Sequence, residues 1–515
     1  MYPAVHAATD PAKPAVVMAD TGEVVTYAEL DERSVQLARV LAARGLRRGD
    51  RVALFAENHP RWFEVVWAAL RSGLYLVTVN RHLSAEEAAY IVNDSESRAL
   101  ITSHHLAGVA SAMLADLPGC DVRLMFDGLM VGFESYEGAL EGQSSEPLDD
   151  QPRGDMMLYS SGTTGRPKGI KRELRDLQVD DPAGAGMSLL ERHILGMDET
   201  SVFLTPAPLY HAAPLTWSTG VHELGGTVVI MGRFDPETFL AVVERERVTH
   251  TQVVPTMMIR LLALPQDVRG SYDLSSLRGL VHAAAPCPPE AKRQMIEWLG
   301  PIVAEYYSGT EGGGLTLITS EEWLAHPGSV GRPLMGVVHI CAEDGTELGP
   351  GEIGTVFFGQ DTEPFQYHGD PAKTAESRHP EHPWWTTLGD VGYVDDEGYL
   401  YLTDRRSFTI ISGGVNIYPA EIESVLIMHP KVADVAVFGL PDPEMGEFVQ
   451  AVVQLEDGVA EDEGLVEELL AYGREHLAGY KLPRAIEVRD QLPRLPTGKL
   501  YKRELREEYL ARMRS

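Results

Sequence analysis

Between residues 26 and 102 helix and strand signals alternate without a break, and this alternation constrains the fold more than any other feature. Thr26 and Glu29 have the spacing of a capping box, ahead of a helix carrying Leu30, Leu37, Val40 and Leu41, with Gly45 as its stop. Residues 51–55 read as a strand, 62–70 as a helix and 74–79 as a strand. Ser84 and Glu87 cap another helix, and 98–102 is strand again. Such a pattern argues for an α/β fold, with parallel sheets covered by helices. It resumes with strands near 202–205, 227–231 and 279–282.

A chain of 515 residues is too long for one compact core, so at least two domains are expected. From about residue 335 the texture changes to hairpins, with turn signals at Asp344-Gly345 and Asp396-Glu397-Gly398 between runs 354–358 and 399–403. After Asp404-Arg405 a smaller α+β section begins: a helix near 420–428, strands near 432–438 and 449–455, a helix over 463–477 and a strand near 485–488. The expected organisation is a large N-terminal domain, 1–404, of helix-covered sheets plus a β-rich subdomain, followed by a small α+β C-terminal domain, 405–515.

Chemistry enters at Tyr159-Ser160-Ser161-Gly162-Thr163-Thr164-Gly165-Arg166-Pro167-Lys168-Gly169, directly after the apolar run Met156-Met157-Leu158. Four Ser/Thr hydroxyls, three glycines and a lysine in one short stretch suit the grip of a polyphosphate. Glycines let the main chain approach an anion and turn its N–H groups inward, hydroxyls add donors, and lysine adds charge. The spacing is not that of a Walker loop, and Pro167 sits where a helix would have to open.

A formal net charge of −32 argues against binding nucleic acid through its phosphates and against docking on anionic lipid. Cys120, Cys287 and Cys341 lie far apart, so no metal or disulfide framework follows. Cys287, between Pro286 and Pro288, reads as part of a turn rather than a nucleophile. No signal peptide or membrane-spanning apolar run is visible, which makes the cytoplasm the expected compartment.

Five further segments follow the loop in order: Pro208-Leu209-Tyr210-His211, Tyr307-Ser308-Gly309-Thr310-Glu311, Leu388-Gly389-Asp390, Asp404-Arg405 and Pro496-Thr497-Gly498-Lys499. With this order the chain resembles the acyl-adenylating superfamily of acyl-CoA ligases, peptide-synthetase adenylation domains and beetle luciferases. Bacterial fatty acid–CoA ligases additionally share Ala284-Ala285-Pro286 and the run from Gly413 to Pro419.

The resemblance implies two half-reactions, in which a carboxylate attacks the α-phosphorus of ATP and the thiol of CoA then displaces AMP. It implies that Ser161, Gly162, Thr163, Thr164, Gly165 and Lys168 hold the β- and γ-phosphates, that Glu311 carries Mg²⁺, and that Thr310 meets the α-phosphate. Tyr307 and Ser308, with Ala284 and Ala285, would border the adenine and phosphate, while Asp390 would accept the ribose hydroxyls with Arg405 beside them. Lys499 would neutralise charge during adenylation, and the C-terminal domain would then rotate so that Gly413 and Gly414 line a pantetheine tunnel. His211 stands where relatives carry a gate between ATP and acid; packing against Tyr210 is the other reading.

The chain departs from the family pattern at Ser308, where Gly is usual, at Leu388, where Thr is usual, and at Ser407-Phe408, where the hinge usually carries charge. Expected partners are a small-molecule carboxylic acid, ATP and CoA, with a second copy in a homodimer as an option. Transfer to a carrier-protein phosphopantetheine is an alternative. So is a non-catalytic nucleotide- or acyl-binding protein, although Lys499, Glu311 and Asp390 are all present.

Overall fold

The structure is a computed structural model that describes residues 2–160, 167–405, 408–413, 415–462, 464–494 and 500–514. The chain forms two compact units. One comprises Met1–Val253, Ala263–Val281 and Phe365–Thr374; the other comprises Val254–Leu262, His282–Pro364 and Ala375–Ser515.

In the first unit, both capping boxes form as the spacing predicts. Thr26 and Glu29 exchange side-chain and backbone hydrogen bonds at the start of helix Tyr27–Ala43, and Ser84 and Glu87 do the same for Ala85–Asp94. Leu30, Leu37 and Leu41 lie fully inside, and Gly45 follows the helix with φ +85°. Helix Arg61–Leu70 is apolar on nearly every side and buried from Trp62 to Leu70. Its one buried charge, Glu64, is satisfied by Arg33, Arg61 and the Tyr136 hydroxyl.

These helices cover a sheet ordered Gln366–Tyr367, Lys168–Lys171, Asp155–Ser160, Tyr75–Val79, Arg51–Phe55, Ser97–Ser103, Val122–Phe126 and Glu134–Ser135. From Asp155–Ser160 to Glu134–Ser135 all neighbours are parallel, whereas Lys168–Lys171 and Gln366–Tyr367 join antiparallel. A second sheet runs through His250–Val253, Val202–Thr205, Thr227–Ile230 and Pro14–Met18 in parallel, with Val24–Thr26 antiparallel at its edge.

The second unit is dominated by antiparallel pairing. Val303–Ser308 pairs with Leu315–Ile318, and that strand with Arg332–Met335. Val337–Cys341, Gly354–Gly359, Asp390–Val394 and Leu400–Arg405 form the β-rich sheet, around a core of Ile340, Val356, Phe358 and Leu400. Strands Ile410–Ser412, Val415–Ile417, Val432–Asp442, Gly446–Leu455 and Ala485–Arg489 form a fourth sheet, backed by helices Pro419–Leu426 and Leu465–His476. Its hairpin, Val432–Asp442 with Gly446–Leu455, is longer than the sequence suggests. The ladder continues through Gly439 and Pro441 because Asp442 Oδ1 accepts the amides of Glu444 and Met445 and closes the turn only there. Among the described residues no helix is long and apolar enough to cross a membrane.

Candidate active site

In the first unit, the strands flanking the glycine-hydroxyl loop close its neck. Asp155–Ser160 and Lys168–Lys171 pair antiparallel with Ser160 opposite Lys168, so the residues on either side of segment 161–166 belong to one ladder. Ser161, Gly162, Thr163, Thr164 and Gly165 lie outside the described residues. Lys168 Nζ pairs with the Asp370 carboxylate, which also accepts the amide of Lys373 at 2.8 Å. Those contacts, the lysine's first, hold the Asp370 carboxyl below its ordinary range. His211 occupies the N-cap of helix Ala212–Leu224 without a side-chain cap bond, and its ring lies 4.4 Å from that of Tyr210. His211, Ala212 and Ala213 are half-buried.

In the second unit, Tyr307 and Ser308 end strand Val303–Ser308 and lead into Gly309, Thr310 and Glu311. The Tyr307 hydroxyl donates to Asp390 Oδ2 at 2.6 Å, and the Asp390 side chain is only 7% exposed. Asp390 begins its strand after Gly389, whose φ of +81° supplies a corner that L side chains avoid. Strand register sets Arg405 directly opposite Asp390, although the Arg405 side chain is outside the description. Two of the departures from the family pattern, Ser308 and Leu388, have structural counterparts here. Ser308 Oγ donates to the Gly314 carbonyl at 2.7 Å, and the Leu388 side chain packs so closely on Gly309 that an added Cβ would lie 2.5 Å from its Cδ1.

Ala284 adopts φ +76°, a left-handed conformation costing about 1–3 kcal/mol for a non-glycine residue. Strain of this kind gathers at functional sites, and here it falls on the Ala284-Ala285-Pro286 segment that the sequence singles out. Helix Pro289–Leu299 and strand Val303–Ser308 share a charged cluster that sequence reasoning missed. Lys292 Nζ donates to Glu305 Oε2 at 2.7 Å, and His282 Nε2 stands 3.7 Å from the same oxygen. Burial pushes Lys292 down and Glu305 up, each toward neutrality, and pushes His282 well below the usual imidazole range. Burial likewise raises the Cys287 thiol, which leaves it protonated and unsuited to nucleophilic attack.

In the C-terminal section, Gly413 lies at the turn between Ile410–Ser412 and Val415–Ile417 with φ +58°, and its amide donates to the Met445 carbonyl at 2.7 Å. Gly414 and Lys499 lie outside the described residues. Arg494 and Leu500 form an antiparallel bridge that closes the chain on either side of segment 495–499.

The donor set suits magnesium with a nucleotide. Glu311 is a buried carboxylate, 9% exposed, and among the described residues no group of three or more His, Cys, Asp and Glu could hold a metal. One protein carboxylate, with water and phosphate oxygens completing the shell, is a coordination Mg²⁺ accepts.

Residues 4–362 match the AMP-binding enzyme family, and residues 421–499 match the AMP-binding enzyme C-terminal domain. The chain is 36% identical over 498 residues to a feruloyl-CoA synthase of an Amycolatopsis species, spanning 95% of this chain and 94% of that one. It is 32% identical over 512 residues to the fatty acid–[acyl-carrier-protein] ligase ScoC of Streptomyces coeruleorubidus, spanning 98% and 95%. The crystal structure of the anthranilate CoA ligase AuaEII in complex with anthranoyl-AMP matches with a TM-score of 0.85 at 25% identity, over 100% of this chain and 98% of that one. Helix-covered sheets followed by a small C-terminal domain, on a chain with these matches, define an AMP-forming acid–thiol ligase, a class that works with ATP, Mg²⁺ and CoA. The chain belongs to the AMP-binding enzyme family.

Proposed function

We propose that this chain adenylates a hydrophobic carboxylic acid, fatty or aryl, and transfers the acyl group to CoA, releasing AMP and pyrophosphate. The feature that best supports it is the Asp390 carboxylate, buried, gripped by Tyr307 and set opposite Arg405. A two-oxygen acceptor held in this way matches a ribose diol. Similarity along almost the whole chain to ligases named for aryl and fatty acids supports the hydrophobic substrate.

In the first half-reaction a carboxylate oxygen bonds to the α-phosphorus as the bond to the pyrophosphate oxygen breaks. The obstacle is repulsion between anions, so positioning and cationic stabilisation should supply most of the acceleration. Ser161, Thr163, Thr164, the loop amides and Lys168 would hold the β- and γ-phosphates, and Thr310 would orient the α-phosphate. Mg²⁺ at Glu311 would neutralise charge on the phosphate oxygens. Lys499 would draw the two reacting anions together. Ala284 and Ala285, small and exposed, leave room for the adenine edge. His211, Ala212 and Ala213 would border the acid.

In the second half-reaction the thiol attacks the acyl carbon and AMP leaves with the bonding electrons. We assign the change of partner to rotation of the domain 405–515 about the chain near Ser407, bringing Gly413 and Gly414 to the pantetheine. The similarity to ScoC supports a second acceptor, the phosphopantetheine of a carrier protein in trans. Purified protein working in the cytoplasmic pH range should release AMP on addition of CoA to a reaction holding ATP, Mg²⁺ and the right acid. Acyl transfer to a phosphopantetheinylated carrier at a rate exceeding that with free CoA would favour the second acceptor. AMP release that neither thiol stimulates contradicts both.

A further inference from the structure

Tyr159 is the second residue ahead of the phosphate loop, and its side chain is tied down from two directions. Its hydroxyl donates to Asp94 Oδ2 at 2.7 Å, while its ring lies across Gly169, the cross-strand partner of Tyr159 on the far side of the loop. A Cβ on Gly169 would fall 2.5 Å from Met157 Cε, 3.0 Å from Tyr159 Cζ and 3.1 Å from its hydroxyl, so glycine is what permits the ring to cover that strand. Asp94 is held in turn by the Tyr90 hydroxyl, 3.3 Å from Oδ1. It is the last residue of helix Ala85–Asp94, where the helix presents its negative end. A carboxylate there is locally unfavourable, so helix stability does not account for it, whereas the bond to Tyr159 does. Burial, and then the bond to Asp94, raise the Tyr159 phenol, which keeps it a donor at every physiological pH.

We propose that Asp94 and Tyr159 are positioning residues for ATP: the Asp94 carboxylate fixes the Tyr159 ring over Gly169, and the ring braces the two strands that carry the phosphate loop, Asp155–Ser160 and Lys168–Lys171, for the grip on the β- and γ-phosphates. This rests on the assignment of residues 161–166 to those phosphates. The helix at 85–94 thereby acts on the nucleotide without touching it. Asp94 borders an open cleft of about 490 Å³ lined also by Glu86, Ala89, Tyr90, Asn93 and Asp116, so its side chain can be shortened without leaving a sealed void.

The test compares two nucleotides by titration calorimetry on the full-length protein, with Mg²⁺ and without acid. ATP carries the β- and γ-phosphates and AMP does not. Tyr159→Phe deletes the hydroxyl and keeps the ring; Asp94→Ala deletes the acceptor; Asp94→Asn keeps an uncharged acceptor. The hydroxyl–carboxylate bond is charge-assisted, and Tyr159→Phe and Asp94→Ala should each weaken ATP binding about tenfold, leaving AMP affinity unchanged. Asp94→Asn should recover part of the loss, and the double variant Tyr159→Phe/Asp94→Ala should lose no more than either single one. Equal losses for ATP and AMP, or no loss for either, overturn the positioning role. Wild-type protein that binds AMP and ATP equally well overturns the phosphate-loop assignment itself, and the inference with it.

Discussion

Deleting one oxygen atom, in Tyr307→Phe, tests the ribose clamp. The Tyr307 hydroxyl donates to Asp390 Oδ2 at 2.6 Å, and the aromatic ring packs against the cluster containing Phe358, with ring centroids 6.0 Å apart. Phenylalanine keeps the packing and removes only the donor. A hydrogen bond to a charged group contributes about 1.5–3 kcal/mol, and each 1.4 kcal/mol is tenfold in affinity, so the KM for ATP should rise about 10- to 100-fold. The loss arises because a carboxylate freed from Tyr307 is no longer aimed at the ribose. It should therefore shrink to a fewfold effect with 2′,3′-dideoxy-ATP, which offers that carboxylate no hydroxyl. Pyrophosphate exchange measured with both nucleotides gives the comparison. An equal fold loss with ATP and with dideoxy-ATP refutes the reasoning, because the hydroxyl would then act on something other than the aim of Asp390.

Gly309→Ala would set a Cβ 2.5 Å from Leu388 Cδ1 and 2.8 Å from Glu311 Oε2, forcing one of them to move. The kcat/KM should fall about 10- to 100-fold, with a raised Mg²⁺ requirement; an unchanged Mg²⁺ titration counts against Glu311 as the metal carboxylate. Glu191 is fully buried, neither of its oxygens has a hydrogen-bond partner among the described residues, and burial, followed by the Glu223 charge, raises its pKa well above 4.5. Because the folded pKa exceeds the unfolded one, the folded state keeps its proton longer, and stability is lost as pH rises from about 4.5 through the folded value. Glu191→Met should therefore stabilise the protein by about 1–3 kcal/mol at pH 8 and by less at pH 5 in urea unfolding. A gain of equal size at both pH values contradicts this. Lys499→Ala should abolish adenylation and spare thioester formation from preformed acyl-adenylate, whereas equal loss of both steps contradicts the rotating-lysine mechanism.

Local features were the most legible part of the sequence. Both capping boxes and the strand Val202–Thr205 stand where spacing places them, because caps and short apolar runs are decided by neighbours along the chain. The hairpin ending at Asp442 overran expectation because a side-chain cap, rather than Gly439 or Pro441, decides where its ladder stops. The site segments were visible as motifs, but their contacts were not. Lys168 and Asp370 are 202 residues apart, and only strand register reveals Arg405 opposite Asp390. Ala284 gives no sequence sign of its positive φ, since alanine ordinarily avoids that region. Nothing in the sequence sets Lys292 apart; the fold alone buries it against Glu305.

Acid-dependent exchange of radiolabelled pyrophosphate into ATP tests the central claim most directly. Purified protein with ATP and Mg²⁺ is offered fatty and aryl acids of graded length and bulk, with no thiol present. At least one acid should support exchange well above the acid-free rate, and Asp390→Ala should remove it. Exchange at background level across the whole panel would contradict the account.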